Sequence, residues 1–172
     1  MIITISRSIE IDAGHRVPFH ISKCKHLHGH RWKITAFLRA ECVVPDDMRA
    51  ADSGMVLDYG VLKSIMMEHI HDVFDHRMIL WAEDPIQCFR DKIYVVTALI
   101  PNQPLDEYLE MTEEGLGTSV VVVPMIPTAE NLARYWAELI DPYIRAKLAA
   151  PARLIGLEVQ ETPNSTATHW IE

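Results

Sequence analysis

The stretch KCKHLHGHRWKITAFLRAE, residues 23–41, carries a structural signal and a chemical one together. From Arg31 onward it alternates. Trp32, Ile34, Ala36, Leu38 and Ala40 share one parity, and Arg31, Lys33, Thr35, Arg39 and Glu41 the other. Successive side chains of an extended chain point to opposite faces, so the pattern predicts a half-buried strand over 31–41. Read backwards, the apolar parity runs into His30 and His28, which project to the core face if the strand starts there. Residues 2–12 alternate in the same way. Ile3, Ile5, Ile9 and Ile11 oppose Thr4, Ser6, Ser8, Glu10 and Asp12, with Arg7 the one misfit. His15 continues the apolar parity of Ala13. Two adjacent strands of this kind bring His15, His28 and His30 together.

Working outward, CVVPDDMRAADSG (42–54) is a Pro- and Asp-rich connection. Asp58 is placed to cap a helix over 59–73, with Val61, Leu62, Ile65, Met66, His69 and Val73 on one stripe. Thr128 is placed to cap a second helix, to about residue 148, whose inward stripe is Leu132, Ala133, Trp136, Ile140, Tyr143 and Ile144. Glu130 in its first turn suits the helix dipole. LIGLEVQE (154–161) reads as a closing strand. Between 82 and 118, KIYVVTALI reads as a strand and LDEYLEMTEE as a short helix, followed by SVVVVPM as a strand. No repeat or low-complexity tract interrupts the order. Strands, helix, strand pair, helix, strand give an α+β fold with a mostly antiparallel sheet, in one domain over 1–172.

Composition bounds the function. The chain has 172 residues, 49% apolar and 23% charged, an ordinary globular balance. A net charge of -8 argues against a general nucleic-acid or anionic-membrane partner, since either needs a basic surface. No apolar run approaches the ~18 residues of a membrane helix. MIITISRSIEID lacks the basic-then-apolar pattern of a secretory leader. Cys24, Cys42 and Cys88 are odd in number and scattered, unlike a disulfide framework, which points to a reducing cytoplasm.

The histidines carry the chemistry. His-x-His on a strand with one distant histidine is a zinc triad, and three neutral imidazoles leave a fourth tetrahedral position open, the catalytic pattern. Gly29 between two of them permits tight backbone approach. Cys24 has two readings. It is a fourth ligand that closes the site, or a free thiol beside the metal, where a neighbouring dication favours the thiolate. Asp75 and His76 follow the first helix as an orienter and a proton donor, or as a solvated carboxylate and a helix-end cation. Glu161 ends the apolar row Ile155, Leu157, Val159; a carboxylate there meets a guanidine-like N–H pair of a ligand or turns to water. His69, on the apolar stripe, reads as core. His20, His26 and His169 belong to no constellation, and Cys42 and Cys88 read as structural.

Six short motifs, in this order, resemble the 6-pyruvoyltetrahydropterin and 6-carboxytetrahydropterin synthase family. They are DAGHR with His15, CKHLHGH with Cys24, His28 and His30, MVLDYGVLK around Asp58, FDH with Asp75 and His76, PTAEN with Thr128 and Glu130, and VQET with Glu161 and Thr162. The resemblance implies a tunnelling fold: an antiparallel sheet with two helices on one face, assembled into a barrel-like oligomer, commonly a hexamer. It implies zinc on His15, His28 and His30 and catalysis by Cys24 with Asp75 and His76. It places Glu161, with Thr128 and Glu130, on the pterin, and the active sites at subunit interfaces. The implied substrate is 7,8-dihydroneopterin triphosphate. Cys24 lies four residues before His28, a spacing that resembles the bacterial 6-carboxytetrahydropterin synthases of queuosine biosynthesis, which release triphosphate and acetaldehyde. A 6-pyruvoyl synthase or another pterin side-chain lyase is the alternative, and a non-catalytic pterin- or purine-binding homologue the second. Lys23, Lys25, Arg16 and Arg77 are candidates for the triphosphate. The segment 82–126 is longer than the family's compact bacterial members have and reads as an insertion.

Overall fold

The alternating stretches pair along their whole length. In the computed structural model, which describes residues 1–41, 54–86, 120–147 and 152–171, β1 (Ile2–His15) and β2 (His28–Glu41) are antiparallel neighbours. Their register runs from Ile2 opposite Glu41 to His15 opposite His28. A slip of one residue would turn every core side chain to solvent, so the apolar pattern sets this register. Ile9, Ile11, Ala13, Trp32, Ile34, Ala36 and Leu38 are all buried on the shared face. Thr35, on the other face, is also buried and meets Ser8 at 2.9 Å.

β5 (Arg153–Thr162) joins β2 antiparallel, and β6 (Ser165–Trp170) folds back on β5 through a two-residue turn. On the other side β3 (Met78–Trp81) runs parallel to the end of β1, and β4 (Val120–Val123) runs parallel to β3. The sheet order is β4-β3-β1-β2-β5-β6. It is mostly antiparallel, as the sequence led us to expect, with three long antiparallel pairings and two short parallel ones that make it a mixed sheet. The parallel part is the return from each helix-bearing or long connection, which brings the chain back in the same direction. β6 was not expected as a strand. Its residues STATHW carry little apolar contrast; it is held by antiparallel pairing along β5, and the Trp170 ring lies over Gly156, where a Cβ would approach within 2.4 Å.

Two helical rods cover one face of the sheet. The first begins at α1 (Tyr59–Met66), capped by the Asp58 carboxylate on the Gly60 N–H at 2.7 Å. It continues through a π turn (Met67–His71) into α2 (Asp72–Phe74). The sequence predicted one uniform α-helix over 59–73. Buried positions recur as 65/66, 69/70 and 73/74, a spacing of four. That exceeds the 3.6-residue α repeat, and the wider π turn keeps both halves of the rod facing the core. The second rod is α3 (Ala129–Lys147), with Thr128 Oγ1 accepting from the Asn131 N–H at 3.3 Å. Trp32, Phe74 and Trp136 are the large side chains at the centre, the last two edge to face with centroids 5.3 Å apart. His69 is core, as expected, stacked on Tyr143 at 3.6 Å.

Most of 82–126 lies outside the described residues, as do Cys42, Cys88 and the expected KIYVVTALI strand and LDEYLEMTEE helix. The part of that segment that is described contains β4, one of the two outer strands of the sheet.

Candidate metal centre and active site

The strand register places the three imidazoles. His15 lies directly across from His28, and His30 lies diagonally, opposite Ala13. Ring centroids are 4.5 Å apart for His15–His28, 5.3 Å for His15–His30 and 5.0 Å for His28–His30. Trp32 forms the floor, 4.8 Å from His15 and 5.4 Å from His30, with its indole N–H donated to the Ala13 carbonyl. Two glycines let the strands close here. A Cβ on Gly29 would sit 3.3 Å from the Ala13 oxygen, and one on Gly14 would collide with the Met78 side chain. The first was legible in the HGH motif; the second was not, because Met78 arrives from a strand 64 residues away in sequence.

The rings are set for metal binding by their outer nitrogens. His15 Nδ1 donates to the Pro127 carbonyl at 2.7 Å, and His28 Nδ1 donates to the His26 carbonyl at 2.8 Å. In a neutral imidazole this leaves Nε2 as the lone-pair atom, the arrangement that orients histidine ligands in metal sites. His15 Nε2 is buried and has no hydrogen-bond partner. Burial pushes the His15 pKa down to about 4, against the pull of the Pro127 carbonyl, so the ring is neutral at pH 7. Burial lowers His30 as well, against the nearby Glu161 carboxylate. One ligand atom from each of His15, His28 and His30 fits within 4.8 Å of the others. The three-histidine donor set, the neutral buried His15 and its orphaned nitrogen suit a zinc ion.

A pocket of about 240 Å³ opens beside the triad, lined by His15, Cys24, Thr128, Glu130 and Glu161 among others. Cys24 sits half-buried in a short 3-10 turn, Lys23–Lys25, whose two lysines are exposed. Its sulfur is not in the three-histidine cluster. Glu161, at the end of β5, brings Oε1 to 3.3 Å from His15 Nε2 and 3.8 Å from His30 Nε2. Thr128 and Glu130 reach the same pocket from the start of α3. His20, which the sequence assigned to nothing, lines it too. His26 also proves relevant, through its backbone carbonyl.

Asp75 and His76 lie elsewhere. They form a corner against the free edge of β1: the Asp12 N–H donates to Asp75 Oδ1 at 2.8 Å, and the His76 N–H donates to the Asp12 carbonyl at 2.7 Å. Asp75 Oδ2 lies 2.7 Å from His76 Nδ1 and 3.8 Å from His71 Nε2. Burial alone would raise the Asp75 pKa, but the Asp12 N–H and His76 hold it below the usual carboxylate value. His76 has φ 56, the only positive φ among the described non-glycine residues. A histidine held in the left-handed region marks a strained position, a feature that clusters at functional sites. The cavity there, about 470 Å³, is lined by Asp12, His30, Arg31, His76 and Arg77 and does not include Cys24 or Glu161. Arg31 forms a two-pronged ion pair with Asp12 at 3.0 and 2.8 Å. Asp12, Arg31 and His71 around this corner were not foreseen, because only the tertiary fold lays the loop after α2 along β1. Arg16, a candidate for the triphosphate, is instead held by Asp84 at 2.8 and 2.6 Å.

Comparisons agree on the family. Residues 4–172 match the 6-pyruvoyl tetrahydropterin synthase family. The chain is 29% identical over 162 residues to the 6-carboxy-5,6,7,8-tetrahydropterin synthase of Rickettsia conorii, covering 94% of this chain and 96% of that one. An uncharacterized protein of Wolinella succinogenes superimposes with a TM-score of 0.69 at 26% identity, covering 100% of this chain and 99% of that one. The Caenorhabditis elegans 6-pyruvoyl tetrahydropterin synthase shares the fold, with a TM-score of 0.60 at 21% identity over 100% and 97% of the two chains. Matched along nearly its whole length, and with a sheet and helices that superimpose on solved members, the chain belongs to the 6-pyruvoyl tetrahydropterin synthase family and has its tunnelling fold.

Proposed function

We propose that this chain is a zinc-dependent lyase that converts 7,8-dihydroneopterin triphosphate to 6-carboxy-5,6,7,8-tetrahydropterin, releasing triphosphate and acetaldehyde. The observation that carries the reading is the cluster of His15, His28 and His30, with Glu161 3.3 Å from His15 and a pocket that His15 shares with Cys24 and Glu161. The relatives named 6-carboxy-5,6,7,8-tetrahydropterin synthase support the carboxy product over the pyruvoyl one. The setting would be the cytoplasm, in the queuosine pathway.

Zinc at the three imidazoles would supply a Lewis acid that polarises the side-chain hydroxyls of the substrate. Cys24 takes a proton from a side-chain carbon as general base. Asp75 holds His76, which relays or returns that proton. Glu161 accepts the pterin's 2-amino and ring N–H pair, fixing the ring relative to the base. Thr128 and Glu130 frame the pterin from the start of α3.

Cys24 and His76 line different cavities of one chain. The reading therefore takes Asp75 and His76 to serve a neighbouring copy, with active sites between subunits of a homohexamer. The outer strands β4 and β6 each present an edge without a partner among the described residues, which suits assembly into a larger barrel. We take 82–126 as an insertion in a single domain over 1–172.

Incubation of the zinc-loaded protein with 7,8-dihydroneopterin triphosphate, followed by mass analysis, tests the function. The carboxy product with acetaldehyde is expected. A pyruvoyl product would move the chain to the other branch of the family, and intact substrate with zinc bound would make it a binding protein.

A further inference from the structure

The pocket beside the triad runs from buried His15, past half-buried Cys24 and Glu161, to His20 and Glu130, which are exposed at its mouth. Among the described residues no lysine or arginine lines it. Arg16 is taken up by Asp84, Arg77 lines the other cavity, and Lys23 and Lys25 are outside the lining. Apart from His15, His20 is the one lining side chain that carries an N–H. Its tautomer is set by its neighbours. The Ser22 backbone N–H donates to His20 Nδ1 at 3.2 Å, and the Ser22 hydroxyl lies 2.9 Å from the same atom. A backbone N–H can only donate, so Nδ1 is an acceptor and the neutral ring carries its proton on Nε2. The loop beneath is tied to the turn that bears Cys24. The His20 N–H donates to the Val17 carbonyl at 3.0 Å, and the Val17 N–H donates to the Cys24 carbonyl at 2.8 Å.

We propose that His20 is the phosphate contact of this pocket, its Nε2–H donating to a phosphate oxygen at the end of the ligand's side chain. This rests on the reading of the pocket as a pterin triphosphate site. With the N–H edge of the pterin on Glu161, the side chain runs past Cys24 and its phosphates emerge at the mouth. There they keep part of their hydration, and the exposed Lys23 and Lys25 add a positive field. Glu130 repels an anion, which sets the phosphates toward His20. An N–H on a phosphate oxygen is a charge-assisted hydrogen bond, stronger than a neutral one. His20 therefore distinguishes a phosphorylated ligand from the same ligand without phosphates.

Neopterin and neopterin triphosphate, oxidised forms that do not turn over, separate the phosphates from the ring. Their binding to the zinc-loaded protein is read by pterin fluorescence. The amide of asparagine lies where Nδ1 stood, and that of glutamine where Nε2 stood. His20→Asn therefore keeps an acceptor for Ser22 and drops the donor, whereas His20→Gln keeps the donor and drops the acceptor. His20→Asn should weaken neopterin triphosphate about tenfold, the scale of one hydrogen bond to a charged group, and neopterin less than about twofold. His20→Gln should hold neopterin triphosphate within about threefold of the native chain. Equal losses for the two ligands in His20→Asn, or no loss for either, would overturn the phosphate contact. So would a loss confined to His20→Gln, which would make the bond to Ser22 the purpose of the ring. Inorganic tripolyphosphate, titrated by calorimetry into the metal-free protein because it chelates zinc, keeps this proposal apart from the pterin reading. If neopterin does not bind the native chain, the pterin reading falls. Tripolyphosphate that binds the native chain and is weakened about tenfold in His20→Asn then leaves the phosphate contact standing. Native binding of neopterin that phosphates do not improve, with no uptake of tripolyphosphate, removes the phosphate contact and leaves the pterin reading.

Discussion

His15 is 1% exposed and His76 is 77% exposed, yet both owe their placement to the same strand, β1. His15 projects from the strand's core face, neutral, floored by Trp32 and fixed by a backbone carbonyl. His76 is hung on the strand's outer edge by hydrogen bonds to the backbone of Asp12, with a left-handed backbone and an open side chain. The first cluster brings three possible metal donors together within one chain. The second is Asp75 hydrogen-bonded to His76, which lines a separate cavity together with His30 but without Cys24 or Glu161. The contrast teaches that burial and carbonyl partners preorganise a candidate metal site within one chain, whereas the exposed pair is held by two hydrogen bonds to the backbone of a strand edge.

The largest effect should come from breaking the buried half. His28→Ala should remove most of the metal, from about one zinc per chain toward none, while the folded signal survives, because three ligands are the minimum for a tight site. Metal analysis of the purified variant checks it; an unchanged stoichiometry would mean that the triad is not the site.

Next comes the link between the halves. Cys24→Ala should keep its zinc and lose about 10²-fold or more in turnover, the usual scale for a removed proton-transfer group. Loss of zinc along with activity would instead make Cys24 a ligand. His76→Ala should be equally impaired. Refolding the two variants together in equal amounts should restore about a quarter of native turnover, since about a quarter of randomly mixed interface sites then hold both intact groups. No recovery on mixing would place both groups in one chain's site.

The buried half should also set the pH response of the metal-free protein. The His15 pKa falls from 6.5 unfolded to about 4 folded. Between those values the unfolded chain binds more protons than the folded one, so stability rises with pH there and is lost as pH falls from 6.5 toward 4. That shift corresponds to at most about 3 kcal/mol. Burial also lowers His30 and His69, so they act in the same direction. Urea melts at pH 7 and pH 5 measure it, and a flat profile would refute the burial of a neutral His15.

The smallest effect isolates the strain in the exposed half. His76→Gly and His76→Ala both lack the imidazole, so their difference reports the backbone alone. At φ 56 the glycine variant should be the more stable by about 1 kcal/mol. Equal melting midpoints would show that residue 76 leaves the left-handed region once its side chain is gone.

Much of this was legible from residues 2–41 and 154–161. A period of two is a local property, so parity alone put His15, His28 and His30 on the core face and Glu161 at the end of an apolar row. The caps at Asp58 and Thr128 were equally local, because a capping carboxylate or hydroxyl bonds an N–H only two or three residues on. What sequence could not decide depends on where distant segments land. The register that sets His15 opposite His28 closes across a 12-residue loop, and Pro127 reaches His15 Nδ1 only after α3 is docked. The π turn answers a core spacing of four that a window tuned to 3.6 does not resolve. The Asp75–His76 corner follows from the unpaired stretch of β1 edge ahead of Gly14, where β3 pairing begins, which offers its N–H and carbonyl to whatever loop passes. The approach of Glu161 to His15 is the same kind of fact. Alternation says which face a side chain takes, and only the packed sheet says what it meets there.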